Sequence, residues 1–199
     1  MKDPIRVEMP KIPDTRPLVL TAEQLANVVD KGCQTPRDRA LIYLLADTGL
    51  RRAEACALKW SRVDLKGGLI NVRNGKGGKD RSVMIGVKTR RIFLRYQRTV
   101  PQDAADPVFP SKRTGDHLTG QGMRNWVRRI SKRSGVKVTP HALRRTFATL
   151  SLRAGMNPLH LQALMGHSTL EMTRRYVQIV DDDLMQAHKK HGPIDQWIK

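Results

Sequence analysis

Six side chains in this sequence have the chemistry to handle a phosphate ester: Arg51, Lys76, His141, Arg144, His167 and Tyr176. The Arg and Lys residues among them stand singly beside glycines and helix starts, places where backbone N–H groups can approach an anion. Arg51 follows Thr48-Gly49-Leu50 at a predicted helix start, and Glu54, three residues on, shares its face and can hold the guanidinium in place. Lys76 sits within Gly75-Lys76-Gly77-Gly78. His141 and Arg144 form H-x-x-R directly after Thr139-Pro140, which puts imidazole and guanidinium on one face of a first helical turn. His167 lies between Gly166 and Ser168, and Tyr176 follows it by nine residues. Each has a plainer reading when taken alone: a surface arginine, a turn lysine, helix-capping residues, a turn histidine, a packed ring.

The elements that must position these groups are mostly helices. Thr21 with Gln24 forms a capping box that opens a helix over residues 21–31, and Thr35-Pro36 caps a second whose apolar face runs through Ala40, Leu41, Leu44 and Leu45 up to Gly49. A third helix is expected over 52–59. The period then changes: 69–72 and 81–85 flank the turn-rich Asn74-Gly75-Lys76-Gly77-Gly78, which predicts a small β-hairpin with a further strand near Val63. Later helices start at Val87-Lys88, Thr119, Thr139-Pro140, Asn157-Pro158 and Ser168, the last paired with Glu171, and stop at Pro101, Gly135, Gly155 and Gly166. The fold class expected is α+β, mostly α-helical, with one small antiparallel sheet inserted after the first helices.

Composition narrows the partners. Among 199 residues, 37 Lys and Arg oppose 18 Asp and Glu, a net +19, which makes a polyanion the first partner to consider. The longest apolar run, residues 40–46, is too short to span a membrane, and MKDPIRVEMP has no basic-then-apolar leader, so a soluble, cytoplasmic, nucleoid-associated protein is expected. Cys33 and Cys56 fit no CxxC pattern and are expected as reduced thiols. G-x-x-x-x-G-K-[ST] is absent, which leaves nucleotide hydrolysis without support. His117, His160, His188 and His191 match no metal-ligand spacing, and Asp181-Asp182-Asp183 reads as an N-terminal charge set on a helix.

Taken in order, Arg51, Lys76, His141-x-x-Arg144, His167 and Tyr176 resemble the signature of the tyrosine recombinase (phage integrase) family. TGLRRAEACALKW looks like its first arginine box, GKGGKDR its β-hairpin lysine, PHALRRTFAT its H-x-x-R box, and LMGHSTLEMTRRY its histidine and nucleophile boxes. The resemblance runs from about residue 21 to beyond Tyr176 without a departure at an active position. It implies that family's catalytic-domain fold over residues 20–180, with 1–19 as a linker or arm remnant of a separate N-terminal core-binding domain. Residues 181–199 would form a C-terminal tail passed to an adjacent protomer, self-docking being the alternative.

The activity implied is that of a site-specific DNA recombinase or integrase, serving integration or excision of a mobile element, or resolution of DNA. Tyr176 would attack the scissile phosphate to give a 3′-phosphotyrosyl intermediate and a 5′-hydroxyl, with Lys76 as general acid and His167 donating to a non-bridging oxygen. The residues fit such chemistry on their own terms. Without a carboxylate pair to hold Mg²⁺, protein cations must neutralise the phosphorane, and two forked guanidiniums, Arg51 and Arg144, suit its two non-bridging oxygens. Tyr176, with a free pKa of roughly 10, needs a positive site or a base, and His141 is the candidate base. A covalent intermediate conserves the phosphodiester energy, so no cofactor, ATP or metal is expected. Lys79, Arg81, Arg124, Arg128 and Arg145 are further candidates for DNA contact. The partners implied are a double-stranded recombination site and further copies of the chain in a tetrameric synapse. Two other readings share these residues: a non-catalytic DNA-binding regulator on the same fold, and a type IB-like nicking and relaxing enzyme.

Overall fold

The computed structural model describes residues 18–73, 80–100, 103, 105–167, 169, 173, 174, 176, 177 and 180. Lys76, Lys79, the Ser168–Glu171 pairing and the tail fall outside them. The first helix, α1 (Ala22–Asn27), is opened by the expected box: Thr21 Oγ1 accepts from the Gln24 amide at 3.1 Å while the Gln24 side chain accepts from the Thr21 amide at 3.0 Å. It is shorter than expected as an α-helix, because a π turn, Val28–Gly32, takes over its last residues. Gly32 lies so close to the helix behind it that a Cβ there would fall 2.9 Å from the Ile130 side chain and carbonyl.

The second helix, α2 (Pro36–Thr48), is capped by Thr35 and ended by Gly49, whose φ of 59° is the left-handed turn that glycine adopts without strain. Leu41, Ile42, Leu44 and Leu45 are fully buried, and α2 packs on both α4 (Val87–Gln97) and α6 (Pro140–Arg153). After α2 comes α3 (Arg52–Cys56), which stops short of the expected Lys59; the chain continues through a 3₁₀ turn, Trp60–Arg62, into the sheet. Strands β1 (Val63–Asp64), β2 (Leu69–Val72) and β3 (Arg81–Met84) form an antiparallel sheet in the order β1-β2-β3. Pairing Ile70 with Val83 and Val72 with Arg81 keeps Ile70, Val72 and Val83 on the buried face, as a half-buried strand period demands.

Helix α5 (Gly120–Ser134) divides its faces cleanly. Met123, Trp126, Val127 and Ile130 are buried, whereas Gln121, Arg124, Asn125 and Arg128 recur at helical spacing along a cleft. A main core joins α2, the sheet, α4 and α5; Trp60, Phe93, Tyr96, Phe109 and Trp126 make a chain of ring contacts within it. A smaller second core gathers Ala148 and Leu152 of α6, Leu161 and Met165 of α7 (Pro158–Met165), and Tyr176. That second core seats Tyr176. Both cysteines are free and buried, and burial pushes the Cys33 thiol up to about 12 and the Cys56 thiol up to about 11. No helix among the described residues is long and apolar enough to cross a membrane.

Candidate active site

Three arginines from three separate elements converge on the C-terminal end of α7. Arg81 Nε donates to Leu164 O at 2.8 Å, Arg144 Nη2 to Met165 O at 3.0 Å, and Arg51 Nη2 to Gly166 O at 2.5 Å. A helix leaves its last carbonyls without intrahelical partners and carries partial negative charge there, so this end is a natural seat for cations. Gly166 caps α7 with a φ of 62°, and a Cβ there would fall 2.9 Å from Arg81 Nη1. Glycine therefore serves twice, for the left-handed turn and for the close approach of the guanidinium.

Glu54 ties two of these arginines together. Its carboxylate takes both Nη atoms of Arg81 at 2.9 Å, Arg51 Nη1 at 3.0 Å and the Arg51 amide at 2.7 Å. Burial alone would raise its pKa, but the hydrogen bonds and charges of Arg81 and Arg51 overcome that and hold it below the usual carboxylate value. Glu54 thus orients Arg51 at i, i+3, as the spacing implied. Arg81, a candidate for DNA contact, bonds within the protein through all three of its guanidinium nitrogens, and it links β3 to Glu54 and α7. The Glu54 and Arg81 side chains are only 7% and 10% exposed, so Glu54→Ala is expected to cost about 3–5 kcal/mol by leaving Arg81 charged and unpaired. Urea denaturation measures it; a loss under about 1 kcal/mol would show that the pair contributes little beyond its own desolvation.

Thr139 caps α6 through the Ala142 amide at 3.0 Å, with Pro140 at the first position, which fixes His141 and Arg144 in the first turns. They differ sharply in setting. His141 is exposed at the cleft, and partial burial with Arg145 and Arg144 lowers its pKa, so it is neutral and able to accept a proton at pH 7. Arg144 is buried, and its guanidinium also donates to Gly49 O, the C-cap carbonyl of α2. Desolvation and the neighbouring Arg51 lower its pKa to about 10, which leaves it charged at neutral pH.

His167 is placed by contacts on both ring nitrogens. Nε2 lies 2.9 Å from Arg144 Nη2, and Nδ1 lies 3.0 Å from Thr173 Oγ1. Arginine has only N–H donors, so Nε2 must accept, and the ring proton resides on Nδ1 and is donated to Thr173. In this arrangement the lone N–H of the neutral ring is given to Thr173. Burial, then Arg144, Arg51 and Arg81, push the His167 pKa down to about 4. Between its ordinary value of 6.5 and about 4 the unfolded chain binds a proton that the folded chain refuses. Stability is accordingly expected to fall as pH drops through that window, and more gently in His167→Gln; identical pH profiles of thermal midpoint for the two proteins would contradict this.

Tyr176 stacks on His167, ring centroids 6.3 Å apart and planes 11° from parallel, and is one of the residues lining the cleft. The other two tyrosines are differently placed. Tyr96 is fully buried, its hydroxyl donates to Val108 O at 2.7 Å, and burial raises its pKa to about 12; Tyr43 lines a separate groove beside α1, α2 and α4.

The cleft has a volume of about 1180 Å³. It brings together Arg51, His141, Arg144, Arg145, His167 and Tyr176 with Arg124 and Arg128 of α5. Sequence reasoning missed Arg52 and Lys137, which also line it, although each adjoins a recognised motif. It missed Thr173 too, for which nothing but the spacing to Tyr176 gave a signal. Seven of the described lining residues are Arg or Lys and none is Asp or Glu. Among the described residues, no group of three or more His, Cys, Asp or Glu is arranged to hold a metal ion.

Comparison with known proteins agrees with this geometry. The model of the phage integrase family matches residues 20–182. Tyrosine recombinase XerA of Pyrococcus furiosus is 32% identical over 195 residues, covering 97% of this chain and 68% of its own length. A crystal structure of a XerA recombinase superposes with a TM-score of 0.79 at 33% identity, over 90% of this chain and 66% of that one. The site-specific recombinase XerH, bound to its difH substrate in a pre-cleavage complex, gives 0.69 at 27% identity over 80% and 50%. The chain thus spans about two thirds of the length of its XerA relatives.

Proposed function

Because the chain belongs to the phage integrase family of tyrosine recombinases, we propose that it is a site-specific DNA recombinase domain that cuts and rejoins DNA through Tyr176. The observation that carries this reading is the cleft itself, where one tyrosine stands among seven cationic side chains and no carboxylate among the described residues. The phenolic oxygen of Tyr176 attacks the scissile phosphorus, the bond to the 5′ oxygen breaks, and a 3′-phosphotyrosyl ester forms. His141 takes the phenolic proton, and Lys76 supplies one to the departing 5′ oxygen. The neighbouring strands β2 and β3, which pair antiparallel on either side of residues 74–79, support the role of Lys76.

Arg51 and Arg144 neutralise the charge that grows on the phosphorane. Both are held in advance by backbone carbonyls and, for Arg51, by Glu54, so little reorganisation accompanies the reaction. Arg124 and Arg128, exposed on α5, and the half-buried Arg145 bind phosphates along the duplex. On paired sites the protein assembles with further copies into a tetrameric synapse, and residues 181–199 pass between protomers. Retention of the six reactive side chains favours catalysis over a binding-only role on the same fold.

Incubation with nicked suicide DNA carrying the core site, followed by SDS electrophoresis, tests the reading. A covalent adduct that forms equally well in EDTA is expected, since cations and not metal-bound carboxylates surround the nucleophile. No adduct would leave the binding-only reading standing, and an adduct lost in chelator and restored by Mg²⁺ would overturn the mechanism.

A further inference from the structure

Thr173 is fully buried, and its hydroxyl receives the Nδ1 proton of His167 at 3.0 Å. It is helical, as is Tyr176 three residues on, so the two lie one turn apart on the same stretch of chain. On the other side of the imidazole, Nε2 faces Arg144 at 2.9 Å, and Arg144 is anchored to Met165 O. A continuous chain of hydrogen bonds thus runs from the segment that carries the nucleophile, through a neutral ring, to a guanidinium in the cleft.

We propose that Thr173 is a positioning residue for strand cleavage: its hydroxyl accepts the Nδ1 proton of His167 and holds the ring where Nε2 offers Arg144 a lone pair, so that the docking of the Tyr176 segment sets the orientation of that arginine. The inference rests on the functional reading above only for its consequence on rate. The physical reason is the asymmetry of a neutral imidazole, which has one donor and one acceptor. Arg144, which has only N–H donors, keeps the proton off Nε2, but without a partner at Nδ1 the ring is free to turn its lone pair away from the guanidinium. A buried hydroxyl one helical turn from the nucleophile removes that alternative. It also couples two events, because a Tyr176 segment that leaves its seat withdraws Thr173, and with it the constraint on Arg144. Low basicity at His167 agrees with this, since a ring held neutral keeps one lone pair for the guanidinium.

The full chain with ¹⁵N-labelled histidine gives a direct reading by long-range ¹H–¹⁵N NMR at pH 7, the His167 signals being assigned by their loss in His167→Gln. A protonated Nδ1 and an unprotonated Nε2 are expected in the wild type, with the Nδ1 proton shifted downfield by its hydrogen bond, the same in Thr173→Ser, and loss of that downfield shift in Thr173→Val. Single-turnover cleavage of the suicide duplex should fall about tenfold or more in Thr173→Val, the order expected for one lost hydrogen bond in a buried site, and recover in Thr173→Ser. A merely structural methyl would give the opposite order, because valine keeps both branches and serine loses one. A wild-type spectrum with the proton on Nε2 overturns the proposal, as does Thr173→Val cleaving at the wild-type rate. Absence of any adduct from the wild type would instead sink the functional reading, and the spectrum alone would then decide the role of Thr173.

Discussion

Tyr176→Phe is expected to form no covalent adduct with suicide DNA and yet to bind that DNA as the wild type does. The substitution removes one oxygen and leaves the ring, which sits 8% exposed in the second core and stacks on His167, so the seat of the segment survives. Affinity comes mainly from cations against phosphates, none of which the change touches. Gel-shift titration and SDS electrophoresis on the same preparation separate the two quantities. Loss of binding together with the adduct would mean that the hydroxyl holds the fold or the DNA and does not attack it.

Arg144→Ala is expected to slow cleavage by the equivalent of roughly 3–4 kcal/mol, a factor of about 10² to 10³, as for the loss of one preorganised oxyanion donor. Arg144 spans Gly49 O, Met165 O and His167, so its removal also frees groups at the ends of two helices, and folding must be checked by thermal unfolding beside the rate. Arg144→Lys separates charge from geometry. An ammonium keeps the positive charge but loses the fork that can face two acceptors at once, so most of the rate should still be missing. A lysine variant close to the wild-type rate would show that charge alone suffices there.

Much of this architecture was legible in the sequence because its signals are local. Thr21 with Gln24, Thr35-Pro36, Thr139-Pro140 and Asn157-Pro158 cap the helices they announced, and Gly49, Gly135 and Gly166 end them. Residues 28–31, which the capping signals assign to ordinary helix, belong to a π turn, Val28–Gly32, where Gly32 packs against Ile130, a partner about a hundred residues away that no local spacing reports. In the site, Arg51 with Glu54 was readable at i, i+3. The bonds of Arg81 to Glu54 and to Leu164 O were not, since they span 27 and 83 residues. His167 was recognised, but its tautomer depends on which side chains face the two nitrogens, and that is a property of packing.

The most direct test of the account is to locate the covalent bond. The adduct formed with suicide DNA is digested with nuclease and trypsin and the modified peptide sequenced by mass spectrometry. A nucleotide attached through a phosphodiester to the tyrosine that begins the tryptic peptide of residues 176–189 is expected. A nucleotide on Tyr43, on the buried Tyr96, or on any residue other than tyrosine would contradict it.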